Sequence, residues 1–357
     1  MTQPPSSIAP PSIFAETLGS LGPRPLLAFH NDADGLSAGV ILIKSLAAAG
    51  VKPVPRIVGK GENAFSAVFA AEVQARQSSG EITGLIIADL GVSSALSVGD
   101  LAVVLIDHHE PTGFPEKATV ISGIADDPVP TSSLLAFRCA QSLGDAEPLL
   151  WLAAIGLIGD MAEQSGFAEM EAARALGITA LRKAAALVNA PRRSASGDAG
   201  PALALLMKAD GPKAVLDGRH PETAQLLAAR DEVRQAVDEA RRAPPKIVGP
   251  VALIRFSSPC QIHPLIAQSW TGRLRSDIVI AANFGYRPGW VHFAARAPRG
   301  ADLLAFLETM RPPGADEQYG KGHKAASGGA LRFDDWNLFV DRLGYGPDMH
   351  VKEGSTP

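Results

Sequence analysis

Leu101-Ala102-Val103-Val104-Leu105-Ile106-Asp107-His108-His109 is an apolar run that ends in an acid and two imidazoles. A strand buried on both faces reads as a near-continuous stretch of Val, Ile and Leu, and open parallel sheets collect ligands outside the carboxyl ends of their strands. The stretch therefore predicts a central strand that delivers Asp107, His108 and His109 to the rim of a sheet. Taken alone, three polar residues after an apolar run are equally compatible with a solvated loop.

Two further stretches repeat the pattern. Pro25-Leu26-Leu27-Ala28-Phe29 runs into His30-Asn31-Asp32-Ala33-Asp34-Gly35, and a helical apolar pattern follows over 36–49, closed by Gly50. Gly84-Leu85-Ile86-Ile87-Ala88 runs into Asp89. Helices are expected over 62–77 and, as a short connection, over 92–97. Strands alternating with helices predict a parallel sheet with right-handed crossovers, so all three acidic clusters fall on one rim.

From Thr131 onward the pattern is helical, over 132–143, over 148–158 running into Gly159-Asp160, and over 168–189. Pro191 to Asp198 reads as a polar loop, with Arg192 and Arg193 either solvated or tracking a nucleic-acid backbone. An amphipathic helix over 222–242 places Leu226, Val233, Val237 and Ala240 on one face, and Ala243-Pro244-Pro245 marks a boundary. Beyond it, strands are expected over 251–256, 277–284, 290–295 and 330–333, helices over 264–274, 303–310 and 336–343, and a glycine-rich segment over 319–329. The expected fold class is α/β, a parallel-sheet N-terminal domain with helices on both faces plus a smaller C-terminal α/β domain. In residues, this is a loose tail over 1–20, a first domain over 21–190, a helical linker over 191–245, a second domain over 246–344 and a tail over 345–357.

The composition bounds the partners. With 357 residues, 46% hydrophobic and 20% charged, the chain suits about two globular domains. A net charge of −4 gives no global basic field for tight duplex binding, so any nucleic acid must be held by local basic groups. Cys139 and Cys260 stand far apart, which fits a reduced cytoplasmic compartment and neither a disulfide scaffold nor a thiolate zinc site. The first residues, Met1 to Ser7, lack the basic and apolar regions of a signal peptide, and no run is long enough to cross a bilayer.

Collected, the rim carries His30, Asp32, Asp34, Asp89, Asp107, His108 and His109, with Asp160 arriving on a helix. So many carboxylates share a site in ionised form only if cations neutralise them, because like charges at contact distance raise each other's pKa. Mixed Asp and His donors suit Mn²⁺, Fe²⁺, Co²⁺ or Zn²⁺ better than Ca²⁺, and the carboxylate excess admits Mg²⁺. Two cations about 3.5–4 Å apart are the usual apparatus for in-line attack on a phosphoester.

Four segments, in this order, resemble the motifs of the DHH phosphoesterases: His30 to Ala38, Ile87-Ala88-Asp89-Leu90-Gly91, Asp107-His108-His109 and Gly156-Leu157-Ile158-Gly159-Asp160. The resemblance implies that His30, Asp32 and Asp89 hold one metal, that Asp34, Asp89, His108 and Asp160 hold the other, and that Asp89 bridges. It further implies that His109 meets the substrate phosphate while Asp107 orients the histidines from behind. Gly320 to Gly329 is similar to the glycine-rich histidine motif of the DHH-associated domain, with Lys321 departing from its usual unbroken glycines. Arg296 resembles that domain's substrate-binding arginine. Gly322, His323 and Arg296 are thereby expected to bind the substrate anion.

The likeness is to the RecJ-type subgroup, of single-strand exonucleases and oligonucleotide phosphodiesterases. It implies two divalent cations, Mn²⁺ first with Mg²⁺ or Co²⁺ as alternatives, in a site in the cleft between the two domains. The implied activity is hydrolysis of single-stranded DNA or short oligonucleotides from an end to mononucleotides, in the cytoplasm, with no membrane partner and a homodimer left open. A small-molecule or linear-dinucleotide phosphoesterase is the alternative, and a non-catalytic nucleic-acid scaffold the second. The remaining features read as structural. His220, His263, His292 and His350 stand alone, Trp270, Trp290 and Trp336 sit among apolar neighbours, Ser37 suits a helix cap, and Ser132 and Ser133 open a helix whose N-terminus could take a phosphate although capping suffices.

Overall fold

Apolar residues of the first sheet sort by strict alternation onto its two faces. In the computed structural model, which describes residues 8–316, 319–320 and 322–354, this sheet has six parallel strands. They are β1 (Ile8–Ala9), β2 (Pro25–His30), β3 (Val54–Val58), β4 (Gly84–Ala88), β5 (Val103–Asp107) and β6 (Ala118–Ser122), in the order β1-β6-β5-β4-β2-β3. Leu27, Phe29, Ile86, Val104 and Ile106 face one helical layer, built from α1 (Phe14–Leu21), α2 (Ala33–Ala48), α4 (Ser132–Gln141), α5 (Leu150–Gly159), α6 (Ala168–Ala173), α7 (Ile178–Val188) and α8 (Gly200–Lys208). Leu26, Ala28, Leu85, Ile87 and Leu105 face the other way, towards Phe69 and Val73 of α3 (Ala67–Ser78).

The strand order decides where ligands collect. From β2 the chain runs outward to β3, then returns to β4 on the opposite side of β2. The loops leaving β2 and β4 therefore diverge at a topological switch point, and His30 to Asp34 and Asp89 lie there.

The second sheet is mixed, in the order β11-β12-β10-β9-β8-β7, with β7 (Lys246–Val248), β8 (Val251–Phe256), β9 (Ile278–Arg287), β10 (Trp290–Arg296), β11 (Gly322–His323) and β12 (Ala326–Arg332). Among the described residues of this sheet, only β8 and β9 pair in parallel. Val291, Phe293, Ala295 and Leu331 pack against α11 (Leu303–Met310) and α12 (Phe333–Arg342), where Trp336 and Phe339 are fully buried. Val279, Ala281 and Ala294 on the other face meet α10 (His263–Thr271) and the later part of α9 (Pro221–Ala240). Two compact units result, Met1–Arg192 with Gly197–Ala228, and Arg193–Ser196 with Ala229–Pro357. Among the described residues, no helix is long and apolar enough to cross a membrane.

Several elements differ from the sequence expectation. The short helix over 92–97 is absent; the Ser93 hydroxyl accepts the amide of Ala95 and the segment stays in turns. The helix expected from 62 begins at Ala67 because Ser66 caps it, its hydroxyl accepting the Phe69 amide at 3.2 Å. Residues 168–189 form two helices, α6 and α7, separated at Gly177, whose φ of +104° no helix interior tolerates. The last strand starts at Ala326 rather than 330. Gly328 and Gly329 depress strand propensity, yet a side chain at Gly328 would strike the Phe293 carbonyl, so the close strand approach requires glycine. Lys321 and the outermost parts of both expected tails lie outside the described residues.

Candidate metal centre

Each acidic cluster is placed by the end of a regular element. Asp32 is the N-cap of α2, accepting the amide of Gly35 at 3.0 Å, while Ser37, expected as a cap, lies inside the helix with its buried hydroxyl unpartnered. A Cβ at Gly35 would sit 2.5 Å from the His30 carbonyl, so this tight return from strand to helix requires glycine there. Asp34, the second residue of α2, is completely buried. Asp89 follows β4 in the left-handed region at φ 61°, a conformation that costs a non-glycine residue about 1–2 kcal/mol. Asp160 caps the C-terminus of α5.

Helix α5 ends in a Schellman pair, the Ala162 amide reaching the Leu157 carbonyl and the Met161 amide that of Ile158. The left-handed position usually filled by glycine is Met161, at φ 60° and 91% exposed.

Three groups of ligand atoms lie within 4.8 Å of one another: His30, Asp32 and Asp89; Asp34, His108 and Asp160; and Asp89, His108 and His109. Asp89 and His108 each belong to two of them. His30 Nδ1 stands 3.0 Å from Asp32 Oδ2 and 3.6 Å from Asp89 Oδ2. His108 Nε2 stands 3.2 Å from Asp160 Oδ2, 3.5 Å from Asp89 Oδ1 and 3.9 Å from Asp34 Oδ2. That nitrogen is buried among three carboxylates and makes no hydrogen bond with any of them. A nitrogen so placed is aimed at a shared point rather than at a partner, as a metal ligand is, and the Asp and His donor set fits a divalent cation.

The electrostatics say the same. Burial raises the Asp34 carboxyl, and Asp89 and Asp160 raise it further, so it stands well above the usual carboxylate range despite His108. Burial would depress His30, but Asp32 and Asp89 outweigh it and push the imidazole up to about 10. At His108 burial is again overcome, by Asp160, Asp89 and Asp34, up to about 11. Asp32, in turn, is held well below its usual range, since His30 and Arg192 outweigh its burial. Protons thus crowd onto the site, and a cation offers the same neutralisation.

The surrounding residues fix these groups. Asp107, buried at the end of β5, accepts the amide and pairs with Nδ1 of His109, at 2.8 and 2.9 Å, and takes the Gly91 amide at 2.7 Å with its other oxygen. It therefore contacts His109 and not His108. The His109 side chain is 53% exposed. At Asp34, both oxygens accept amides from the first turn of α4, Ser132 at 2.8 Å and Ser133 at 3.0 Å. The Ser132 hydroxyl donates to Asp89 Oδ1 at 3.0 Å. The α4 N-terminus is thus occupied by a carboxylate of the chain itself. Gly156 is the counterpart on α5, for any side chain there would overlap Ser133 and Asp34.

Sequence reasoning passes over Ser132 as a site residue, and also Asn189, whose Oδ1 takes the Ala33 amide at 3.0 Å, and Arg192, 3.1 Å from Asp32 Oδ2. In sequence, Arg192 reads as a loop cation.

The second unit holds the other expected residues. His323 of β11 is paired with Ala326 of β12, and Ala326 with Arg296 of β10, so His323 and Arg296 lie in one row and share a face of the sheet. Gly322, paired with Ser327, is pressed against the Ala326 carbonyl so closely that no side chain fits.

No family model and no curated protein matches this sequence. Among solved structures, RecJ from Thermus thermophilus in complex with Mn²⁺ superposes with a TM-score of 0.68 at 19% identity, over 95% of this chain and 55% of that one. This chain has a RecJ-like DHH fold. An exonuclease RecJ bound to manganese has a TM-score of 0.62 at 20% identity, covering 95% of this chain and 94% of its own. The DHH domain of a protein assigned to a family of ribosomal proteins also gives 0.62, at 17% identity over 93% and 88%. At these identities the likeness is one of fold, and the RecJ-like chain spans about half the length of the Thermus protein.

Proposed function

We propose that the chain is a two-metal-dependent phosphodiesterase that hydrolyses single-stranded DNA or short oligonucleotides from an end to mononucleotides. The observation that carries this reading is the set of three ligand clusters joined through Asp89 and His108 at the switch point of a RecJ-like fold. One cation would be held by His30, Asp32 and Asp89, the other by Asp34, Asp89, His108 and Asp160. When bound, such a pair supplies Lewis-acid stabilisation of phosphoryl charge and a water of lowered pKa. Mn²⁺ is the first candidate, since RecJ structures of this fold hold Mn²⁺ or Mg²⁺.

The chain's own groups do the rest. His109, its Nδ1 held by Asp107, presents Nε2 as a donor to a phosphoryl oxygen. The contact with Asp107 also raises the His109 pKa against its burial, which favours the cationic donor. Arg296, Gly322 and His323 are assigned to the substrate anion on the second unit's sheet face.

The test is a series of end-labelled oligonucleotides of increasing length, incubated with Mn²⁺ and read by mass. Release of mononucleotides at rates sustained with length is expected; rates that collapse beyond two or three nucleotides would sink the exonuclease reading in favour of a compact substrate. Asp89→Ala should abolish turnover and disturb binding of both cations. His323→Ala should raise KM with metal content intact, and loss of metal in that variant would overturn the division of roles.

A further inference from the structure

The second sheet carries a row that neither the metal centre nor the Arg296 and His323 assignment uses. Trp290, at the start of β10, is paired with Arg332 of β12 on one side and Arg287 of β9 on the other, and directly opposed residues share a face. The Arg332 guanidinium lies 4.4 Å from the centre of the Trp290 ring and that of Arg287 lies 5.3 Å from it, both within cation–π range. Neither arginine is ion-paired among the described residues, although the chain as a whole is acidic.

This row stands on the same face as Arg296 and His323. The register between β10 and β12 is unbroken from Trp290 opposite Arg332 to Arg296 opposite Ala326, so every second residue of β12 from 326 to 332 points one way. Those residues are Ala326, Gly328, Ala330 and Arg332, the first three partly exposed and nearly without side chains. The intervening Ser327 and Leu331 are buried on the opposite face. Along β12 the face is thus a shallow floor of small residues, with cations at both ends. Six residues of strand separate the ends by roughly 20 Å.

Resting on the function proposed above, we infer that this floor is a track for single-stranded nucleic acid, gripped at its far end by the ladder of Arg287, Trp290 and Arg332. Trp290 is a positioning residue that holds two guanidinium planes fixed, and such planes take backbone phosphates or stack on bases. The small floor lets a sugar-phosphate chain lie close to the sheet, and at about 3.4 Å per stacked nucleotide the track takes at most about six. The occupant follows from charge complementarity, since an anionic strand satisfies both ends and a dinucleotide reaches only one.

The experiment is binding of dye-labelled oligothymidylates, from two to twelve nucleotides, to the full chain without added metal, followed by fluorescence anisotropy across a salt series. Affinity should rise with length to about six nucleotides and then level. Arg332→Gln, a substitution at an exposed position, should weaken hexamer binding severalfold and lower the salt slope by about 0.7. Trp290→Ala should weaken it comparably, whereas Trp290→Phe, which keeps an aromatic face, should recover most of the loss. Wild-type hexamer affinity and salt slope in a folded Arg332→Gln protein would overturn the track. Length-dependent binding without hydrolysis would defeat the phosphodiesterase reading and leave the track standing, while processive hydrolysis unaffected by Arg332→Gln would do the reverse.

Discussion

Ser132 touches two of the central carboxylates at once, giving its amide to Asp34 and its hydroxyl to Asp89. A side chain that orients a metal ligand in this way typically changes affinity 10–100-fold when lost. Ser132→Ala should accordingly lower Mn²⁺ affinity within that range in a calorimetric titration, and Ser132→Thr should restore part of it. Unchanged affinity with both cations bound would reduce Ser132 to a helix cap. Asp89 and Met161 carry the left-handed backbone strain of this region, and both adjoin or belong to the candidate ligand set. Strained residues persist where surrounding structure over-determines them, and such places are commonly functional.

At the scale of elements, α10 shows a charge effect outside the metal centre. His263, its first residue, has a buried Nδ1 with no hydrogen-bond partner, and its ring lies 5.9 Å from that of His292 and 6.0 Å from that of Tyr286. Burial first, then the electrostatic influence of His292, Arg193 and Arg296, depresses it from 6.5 to about 3. The unfolded chain therefore takes up a proton below pH 6.5 that the native chain refuses until about pH 3. The stability from a neutral His263 is complete above pH 6.5 and is lost as pH falls through that window, by about 1.4 kcal/mol per pH unit. Denaturant unfolding between pH 7 and 4 should show a steeper acid loss in the native protein than in His263→Gln, and parallel curves would refute the assignment.

Elements also decide what can be read in advance. Strands β2, β4 and β5 are legible because burial on both faces writes an unbroken apolar run, and the acids that follow such runs are legible as a rim. Strands β3 and β6 are not, since β3 lies at the sheet edge, admits Pro55 and Arg56, and has only Val58 buried. Ser132 can be read as the start of a helix, but its partner Asp34 is 98 residues away, and no local pattern encodes that pairing. Trp290 reads as core because apolar neighbours surround it in sequence. Arg287 precedes it by three residues across the β9–β10 turn, whereas Arg332 comes from β12 and meets it only through sheet register.

For the whole molecule, the crowding of carboxylates has a thermodynamic consequence. The candidate ligands come from four separate segments between His30 and Asp160, so an unfolded chain disperses them and presents no site. Cations held there would bind the native state alone and would stabilise it by mass action, by about 2.7 kcal/mol when free metal exceeds its dissociation constant a hundredfold. Adding Mn²⁺ to metal-free protein should raise the unfolding midpoint, a chelator should reverse the rise, and Asp89→Ala should abolish it. A midpoint indifferent to Mn²⁺ would contradict the ligand assignment. The metal-free protein keeps its acids close by borrowing protons, on His30, His108 and Asp34, so metal uptake near neutral pH should release protons into the medium. The same cluster that would serve catalysis would thereby make the fold itself a reporter of metal supply and acidity.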